Sequence, residues 1–331
     1  MDLRIPISIS SQHSRYNGFY EGGFERTLTS SGEHVSRGRI QRPSRLKELW
    51  FNTGTLCNLS CPFCFENSTP TNDRLVYLTL DDIQKTVDEA QEYWGGEKSF
   101  AVTGGEPMLN PEIVDISKYL LKRGKLLILT NGAYNLKSKQ GRKLQNILTS
   151  DYLHRLSFRM SIDGEEKEHN NGRGKGTFRR TIANILQLQE DTRISQISVA
   201  GIYNPRNETH SNAESRYENI LENEGIELKR VPLVLFPQFD PDYEIPAITT
   251  SCLQNDNFFN NAQNAMCSKG VRMVAKQKGS TIRYFDCTLV SDLLDMASET
   301  LSESLNAKRE QVLGHHRCYS CITSGDVSCS G

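Results

Sequence analysis

The sequence predicts an α/β fold built on a parallel sheet, followed by a smaller cysteine-rich region. Short apolar segments alternate six times with segments of helical period between residues 49 and 236, which is typical of strand–helix units in a parallel sheet. The alternation stops after residue 236, and six of the nine cysteines lie beyond it. A chain of 331 residues is long enough for one full-sized domain and a smaller one. Chain order alone does not distinguish an open doubly wound sheet from a barrel.

The six predicted strands are short, and polar or glycine-rich residues follow them. Their ranges are 49–53, 99–103, 126–130, 156–163, 197–203 and 228–236. Between the first two, Thr79 and Asp82 form a capping-box pattern that begins a helix. Asn110 and Pro111 begin the next helix in the favoured cap-then-proline order. Further helices are predicted to end near residue 148 and to cover residues 178–189 and 213–223.

The segment before the first strand is rich in Ser, Gly and Arg and has weak periodicity. We therefore divide the chain into an irregular basic N-terminal arm at 1–46, the α/β unit at 47–236 and the cysteine-rich region at 237–331. Residues 34–47 carry five Arg or Lys and no acidic residue. Two interpretations stay open for this arm: a solvated segment packed along the barrel, or a basic lip for a phosphate, a carboxylate or an acidic peptide.

Composition limits the classes of partner. Charged residues make up 24% and hydrophobic residues 37% of the chain, and the formal net charge is −1. This balance predicts no strong attraction to nucleic acid or to an anionic membrane. No apolar run approaches the roughly 18 residues that a membrane span needs, and the N-terminus lacks a secretory pattern. We expect a cytoplasmic protein.

The nine cysteines fall into two groups, and none lies between residues 65 and 251. In a reducing compartment such cysteines indicate metal ligands or catalytic thiols before disulfides. The first group is Cys57, Cys61 and Cys64; the second is Cys252, Cys267, Cys287, Cys318, Cys321 and Cys329. Two separate metal sites are therefore expected. Taken alone, the first group also fits a zinc site completed by a histidine, or three buried thiols.

Two motifs together identify a family. Three cysteines spaced as in Cys57-x3-Cys61-x2-Cys64, with Phe63 before the third, can ligate three irons of a [4Fe–4S] cluster and leave the fourth open. A Gly104-Gly105-Glu106-Pro107 turn follows the next predicted strand. In this order the chain resembles the radical S-adenosylmethionine (SAM) superfamily. The resemblance implies a partial (β/α)6 TIM-like barrel, SAM bound to the open iron, and a 5′-deoxyadenosyl radical that abstracts a hydrogen atom from a C–H bond.

The resemblance also implies roles for residues at strand ends, where barrel chemistry lies. Glu106 and the backbone of Gly104 and Gly105 match the turn that holds the SAM amine. The other expected SAM contacts are Asn131 after the third strand, Ser161 and Asp163 for the ribose and carboxylate, Arg173 for the carboxylate, and Ile202 and Tyr203 for the adenine.

The C-terminal region resembles the SPASM/twitch extensions of radical SAM enzymes. Such extensions bind auxiliary [4Fe–4S] clusters, and the cysteine count favours one. The expected ligands are Cys267, Cys287, Cys318 and Cys321, with Cys329 as the substitute. Zinc stays an alternative, because His315 and His316 precede Cys318-x-x-Cys321, although we expect both histidines at the surface. Cys252 is either a buried thiol or a hydrogen-atom donor.

The leading hypothesis is a radical SAM oxidoreductase with an auxiliary cluster, acting on a peptide as a maturase or on a small molecule. The partners implied are that substrate and a reducing protein such as flavodoxin or ferredoxin. One alternative is a radical SAM enzyme of cofactor or tRNA biosynthesis, although the near-neutral charge weakens the tRNA version. The other is a non-catalytic iron–sulfur or zinc protein that acts as a redox sensor or scaffold, against which the SAM-binding turn argues. The sequence does not identify the substrate or the bond broken.

Overall fold

A large mixed sheet organises the part of the chain that the computed structural model describes, residues 23–29, 31–238, 245–291 and 293–323. The strands are, in chain order, β1 (Arg26–Leu28), β2 (His34–Ser36), β3 (Arg39–Gln41), β4 (Glu48–Asn52), β5 (Ser99–Thr103), β6 (Lys125–Thr130), β7 (Leu156–Ser161), β8 (Gln196–Tyr203), β9 (Leu233–Pro237), β10 (Val271–Lys276), β11 (Ile282–Phe285), β12 (Ala297–Ser298) and β13 (Glu310–Val312). The α-helices are α1 (Leu80–Glu89), α2 (Ile113–Leu121), α3 (Lys139–Ile147), α4 (Glu166–Arg173), α5 (Thr177–Gln189), α6 (His210–Asn223), α7 (Asp256–Gln263), α8 (Leu301–Ser304) and α9 (His316–Thr323).

The strand order distinguishes the two sheet types that the sequence left open. Strands β4 to β9 are parallel, and each pairs with the next one along the chain. A doubly wound sheet would reverse its strand order at a switch point, whereas consecutive order is that of a barrel. The edge strands of the described sheet are β9 and β12, so the barrel is partial. The predicted fold class is confirmed.

Side chains alternate between two cores across this sheet. Leu49 and Phe51 of β4 pack in the large core that also contains the buried faces of α1, α2 and α5. Trp50 and Ala101 point the other way, into a smaller core with Met273 and Phe285 of the C-terminal region. This alternation is the period-two pattern of a strand buried on both faces.

The predicted strand bounds agree with the structure to within two residues except for the last strand. Residues 228–232 do not form its first half, because Arg230 and Val231 donate backbone hydrogen bonds back to the Glu227 carbonyl, 2.9 Å each, in a turn. Helix α4 was not predicted, since its only buried residue is His169 and it lacks an apolar stripe. None of the helices in the described ranges combines the length and apolar composition of a membrane span.

The two chain ends build onto the barrel more regularly than the sequence indicated. Strand β10 pairs in parallel with β4, and β11 and β12 add to it antiparallel, so the cysteine-rich region extends the sheet. The N-terminal arm was predicted to be irregular, but it contains β1, β2 and β3, and β3 pairs with β13. The division at residues 46 and 236 stays a prediction.

Two basic residues of the arm, Arg37 and Arg42, are directed into the protein and not towards an open lip. Arg37 is fully buried, and its Nε donates to the Arg26 carbonyl at 3.1 Å. Arg42 donates to the buried carboxylate of Asp286 at 2.8 Å. These guanidinium groups satisfy internal acceptors, so the interpretation as a packed arm describes them better than the interpretation as a ligand-binding lip.

Candidate active site

A cavity of about 630 Å³ lies at the carboxyl ends of the parallel strands. Most of the predicted site residues line it together. They are Cys57, Cys61, Phe63, Cys64, Gly104, Gly105, Asn131, Ser161, Asp163, Arg173 and Ile202, with Cys321 from the C-terminal region. Glu106, Tyr203 and Cys252 are not on its wall. Residues from five strand ends therefore meet at one site, as a barrel of this type requires.

The loop after β4 presents the first three cysteines with hydrogen-bond donors directed at their sulfurs. Backbone N–H groups of Leu59 and Ser68 donate to the Sγ atoms of Cys57 and Cys64, 3.4 Å each. The side-chain amide of Asn131 donates to Cys57 Sγ at 3.7 Å. N–H donors aimed at sulfur suit thiolates that ligate an iron–sulfur cluster, whose potential such bonds tune.

Two of these thiols, those of Cys57 and Cys61, favour the protonated form in the absence of metal. Burial, followed by the nearby Glu106 charge, raises the pKa of Cys57 to about 12, and burial also raises the pKa of Cys61. Because iron binds the thiolate, loading the loop must release protons. The donor set and the protonation behaviour fit a cluster site.

The Gly104-Gly105 turn is required by close backbone packing as well as by the cavity. Gly104 has φ +146°, and a Cβ on Gly105 would lie 2.3 Å from the Leu56 carbonyl oxygen. The Gly105 N–H donates to the Gly54 carbonyl at 2.7 Å, and the Glu106 N–H donates to the Leu56 carbonyl at 3.1 Å. Glycine permits both the backbone angle and the contact. The turn therefore fixes the beginning of the cysteine loop.

Glu106 has a different position from the one predicted for it. Its carboxylate is 2% exposed and accepts three internal hydrogen bonds, from Met108 N at 3.1 Å, Thr130 Oγ1 at 2.8 Å and Asn131 N at 2.9 Å. Burial raises the pKa of this carboxyl group, and the three donors oppose that shift. In this structure the carboxylate joins the end of β6 to the turn after β5, and only the two glycines reach the cavity.

A buried lysine supports the same turn from behind. The Nζ of Lys143, on α3, donates to the carbonyls of Met108, Leu109 and Asn110 at 2.9, 3.3 and 2.6 Å. These carbonyls belong to the short 3₁₀ helix, Pro107–Leu109, and the residue that follows it. Its role was not predicted, because a single lysine in a polar helix gives no sequence signal for burial.

The segment after β7 places an ion pair on the cavity wall. Asp163 and Arg173 form a two-pronged ion pair in which the longer contact, Nη2 to Oδ1, is 3.3 Å. The guanidinium also lies 5.6 Å from the centre of the Phe63 ring, and that ring occupies the space beside Gly172. Asp163 and Arg173 were predicted as separate SAM contacts, and the structure joins them in an ion pair that contacts the cysteine loop.

His169 holds the segment after β7 in place through a buried hydrogen bond. It is fully buried, and its Nδ1 accepts the backbone N–H of Asp163 at 3.1 Å. Burial, followed by the charge of Arg173, lowers the pKa of His169 to about 4. The ring is therefore neutral at pH 7 and acts as an acceptor that orients the turn carrying Asp163.

At the end of β8 the residues on the wall differ by one position from the prediction. Ile202 lines the cavity together with Gly201, whereas Tyr203 points into the core and packs edge-on against His210. Tyr217 holds this strand end by donating to the Ile202 carbonyl at 2.7 Å and accepting its N–H at 3.2 Å. The expectation for Tyr203 is corrected, since alternate strand residues face opposite sides.

The second cysteine group converges on a small cavity of about 20 Å³ beside the large one. The four expected ligands, Cys267, Cys287, Cys318 and Cys321, all line it. Cys321 also lines the large cavity, so α9 separates the two. The Leu289 N–H donates to Cys287 Sγ at 3.4 Å, as at the first site. The alternative ligand Cys329 lies outside the described residues.

Two further expectations for this region are corrected. His315 and His316 were expected at the surface, but they are 0% and 4% exposed, and His316 faces the large cavity. Cys252 begins a 3₁₀ helix and packs near Ile248 and Leu253, with the Thr249 N–H 3.4 Å from its Sγ. It is half-buried and does not line the cavity, so its position does not support the role of hydrogen-atom donor.

Two contacts join the first cysteine loop to the second cysteine region, and neither was predicted. Glu66, two residues after Cys64, accepts hydrogen bonds from Ser291 Oγ at 2.8 and 2.6 Å. Arg317, next to Cys318, donates from Nη2 to the Phe65 carbonyl at 2.6 Å and also donates to the Leu289 carbonyl. We call these two contacts the inter-site bridges. Their only sequence signal is proximity to the cysteines.

The comparisons with known proteins agree with this site. The model of the radical SAM superfamily matches residues 51–218, half of the chain. The chain therefore belongs to the radical SAM superfamily, a class of enzymes.

Proteins similar in sequence match only parts of the chain. An AdoMet-dependent heme synthase from Methanosarcina barkeri is 32% identical over 139 residues, 40% of this chain and 36% of that protein. A probable GTP 3′,8-cyclase from Pyrobaculum aerophilum is 35% identical over 101 residues, 30% of this chain and 31% of that protein. The chain thus matches about a third of the length of these relatives. The structure of anSMEcpe with bound AdoMet and the Cp18Cys peptide aligns with 84% of this chain and 82% of its own, at 14% identity and a TM-score of 0.52, which shows a shared fold.

Proposed function

We propose that this protein cleaves SAM reductively at a [4Fe–4S] cluster held by Cys57, Cys61 and Cys64 and uses the radical to abstract a hydrogen atom from a substrate. The observation that carries this proposal is that the three cysteines, the Gly104-Gly105 turn and the Asp163–Arg173 pair line one cavity. When bound, SAM and the reduced cluster supply a 5′-deoxyadenosyl radical, which is the chemistry that the protein itself lacks.

The protein itself binds and orients SAM and the substrate and keeps water out of the site. The backbone carbonyls of the glycine turn are proposed acceptors for the methionyl amine. Arg173 uses Nε and Nη2 for Asp163, so Nη1 is the guanidinium nitrogen proposed to donate to the methionyl carboxylate. We assign Ser161 to the ribose and Ile202 to the adenine, and their places on the cavity wall support this assignment. The apolar part of the wall, which includes Leu129 and Phe236, excludes water from the reacting centre.

We further propose one auxiliary [4Fe–4S] cluster on Cys267, Cys287, Cys318 and Cys321. All four line the same small cavity, and Cys287 receives a backbone N–H at its sulfur. Burial raises the pKa of Cys318 to about 12, so metal loading releases protons here as well. The alternative is a zinc ion, which analysis of bound metal distinguishes from iron.

The experiment is anaerobic reconstitution with iron and sulfide, followed by iron counting and by incubation with dithionite and SAM. We expect about eight irons per chain if both sites hold four-iron clusters, and formation of 5′-deoxyadenosine. Replacing Cys318 and Cys321 with Ala should remove about four irons. Cys252→Ala is the matched control, because Cys252 is a thiol outside both cavities, and it should change neither value. Failure of the wild-type chain to form 5′-deoxyadenosine would refute the main proposal.

For the substrate we propose a peptide or a small molecule bound in the same cavity, whose volume of about 630 Å³ is within the range of ligand sites. The structural neighbour solved with a peptide supports the first choice, and the sequence similarity to a heme synthase and to GTP cyclases supports cofactor biosynthesis as the second. Addition of GTP partly distinguishes a peptide substrate from a role in cofactor biosynthesis. If GTP stimulates 5′-deoxyadenosine formation, cofactor biosynthesis is favoured.

A further inference from the structure

One face of this near-neutral protein is strongly basic, and it borders the first cysteine loop. Residues 116–150 and 169–189 contain no Asp or Glu. Besides Arg179, five of their exposed cationic side chains come after β6 and β7 in the chain: Lys137, Lys139, Arg142, Lys175 and Arg180. We call these five residues the basic face. The formal net charge of the whole chain is −1, so the basic face is a local asymmetry of charge.

The parts of the two segments that follow β6 and β7 form a single surface because hydrogen bonds join them. Arg180 Nε donates to the Ala133 carbonyl at 3.3 Å, and Asn184 Nδ2 donates to the carbonyls of Gly132 and Tyr134 at 2.6 and 3.0 Å. Arg142 Nη1 donates to the Lys137 carbonyl at 2.6 Å, so α3 belongs to the same surface. These partners are carbonyl dipoles, which leave the full positive charge in place.

Arg179 is a nearby cation whose charge, unlike that of the basic face, is compensated by ion pairs. Arg179 lies in the second segment, but its guanidinium is paired with Glu166 at 2.5 Å and Glu224 at 2.6 Å. Arg179 therefore adds little to the positive electrostatic potential of the basic face. No ion pair to the five residues of the basic face is found among the described residues.

The basic face borders the cysteine loop on two sides. On one side, Asn131 Nδ2 donates to the exposed Asn58 at 2.9 Å and to Cys57 Sγ at 3.7 Å, and Lys137 lies six residues further on. On the other side, Phe63 of the loop packs on Gly172 and Arg173, and Arg173 is two residues before Lys175. A partner seated here lies closer to the first cysteine site than one at the amino ends of the strands.

We propose that the basic face docks an acidic one-electron donor protein that reduces the group held by Cys57, Cys61 and Cys64. This inference rests on the proposed function, since that site needs an electron from outside the chain. Complementary charge accelerates encounter between redox partners and orients them. The step is one electron from the reduced donor to the cluster, with no bond formed between the two proteins.

The test compares two triple variants of equal charge change in the reconstituted full chain. The face variant is Lys137→Glu, Lys139→Glu and Lys175→Glu; these lysine side chains have no hydrogen bond or ion pair among the described contacts. The control variant is Lys122→Glu, Lys229→Glu and Lys308→Glu, which are exposed lysines away from the cysteine loop. Formation of 5′-deoxyadenosine is measured with reduced flavodoxin as the protein donor and, separately, with dithionite, which needs no docking.

With flavodoxin at low salt, we expect the face variant to be slower by about ten- to a hundred-fold than the wild type, and the control variant to differ by less than about threefold. The wild-type rate with flavodoxin should fall as salt is added. With dithionite all three proteins should react equally. Equal flavodoxin rates would overturn the docking proposal, whereas absence of product with dithionite in the wild type would instead refute the proposed function. Loss of tRNA retention in the face variant without loss of flavodoxin rate would also overturn it, in favour of a nucleic-acid surface.

Discussion

The substitution Glu106→Gln separates a structural role for this carboxylate from a role in binding SAM. Both carboxylate oxygens accept a backbone N–H, from Met108 at 3.1 Å and from Asn131 at 2.9 Å. A glutamine in either amide orientation must place its NH₂ group against one of these donors. One hydrogen bond is lost, and two buried donors face each other without an acceptor.

The magnitude follows from this geometry. A hydrogen bond to a charged group contributes roughly 1.5–3 kcal/mol, and a buried unsatisfied donor costs about 1–3 kcal/mol. Because the two effects overlap, we expect the free energy of unfolding to fall by about 2–4 kcal/mol. At a denaturant dependence of about 3 kcal/mol per M, the urea midpoint of the anaerobic, reconstituted protein should fall by about 1 M.

The control is Glu97→Gln, because Glu97 pairs with Lys125 at the surface, where both side chains are more than half exposed. Such a change should alter the free energy of unfolding by less than about 0.5 kcal/mol. If Glu106→Gln left the midpoint unchanged and lowered only the affinity for SAM, the carboxylate would be a ligand of SAM, and our account of its buried position would be wrong.

Three further substitutions test the supports of the cavity. Gly105→Ala should remove the irons of the first site and leave those of the second, because its Cβ would lie 2.3 Å from the Leu56 carbonyl oxygen; iron counting checks this. Lys143→Met should lower the free energy of unfolding by about 2–4 kcal/mol, since it leaves buried carbonyls without a donor, whereas the exposed Lys139→Met should have little effect; urea unfolding distinguishes them. Because the pKa of His169 is lowered to about 4, the stability that its neutral form provides is complete above pH 6.5 and is lost as pH falls towards 4. Between pH 7.5 and 5.5 this loss is about 1.4 kcal/mol, and His169→Gln should remove that part of the pH dependence of urea unfolding.

The residues that sequence reasoning placed correctly are those whose position follows from the strand pattern. Ser161, Asp163 and Ile202 stand at the ends of regular strands, where the period of two and the parallel register determine which end and which side they occupy. The cysteine loop was identified by its spacing together with the Gly104-Gly105-Glu106-Pro107 turn that follows the next strand, because the two motifs rarely occur in this order for another reason. The sequence was sufficient to place these residues because the patterns that indicate them lie within short segments of the chain.

The residues that sequence reasoning misplaced or missed are those whose positions depend on long-range packing. Tyr203 is one position beyond Ile202 and therefore faces the other side of β8. Which of the two faces the cavity depends on packing at the strand end, where Tyr217 lies against Gly201 and donates to the Ile202 carbonyl. Glu106 lies in a motif that predicts a ligand, yet the donors that surround it come from β6 and the following turn. Arg317 contacts a loop about 250 residues earlier in the chain. Such contacts have no periodic signal in a single sequence.

The inter-site bridges connect the two cysteine sites into one mechanical unit. Glu66 is 2% exposed and Ser291 is 1% exposed, so their hydrogen bonds lie out of water. Breaking them removes the Ser291 hydroxyl from the donors of a buried carboxylate, which Arg74 also contacts at 3.2 Å, and losing a donor to a buried charged group is costly. Ser291 follows Cys287 by four residues, and Arg317 directly precedes Cys318. A metal group bound to Cys287 and Cys318 would therefore restrain the same backbone that holds Phe65 and Glu66, and through them the loop that carries Cys64. We therefore expect metal binding at the second cysteine site to restrain the loop of the first cysteine site. This effect does not require electron transfer between the second site and the substrate. This explains why the cysteine-rich region continues the barrel sheet through β10: a separately tethered domain could not hold the cysteine loop to within a hydrogen-bond length.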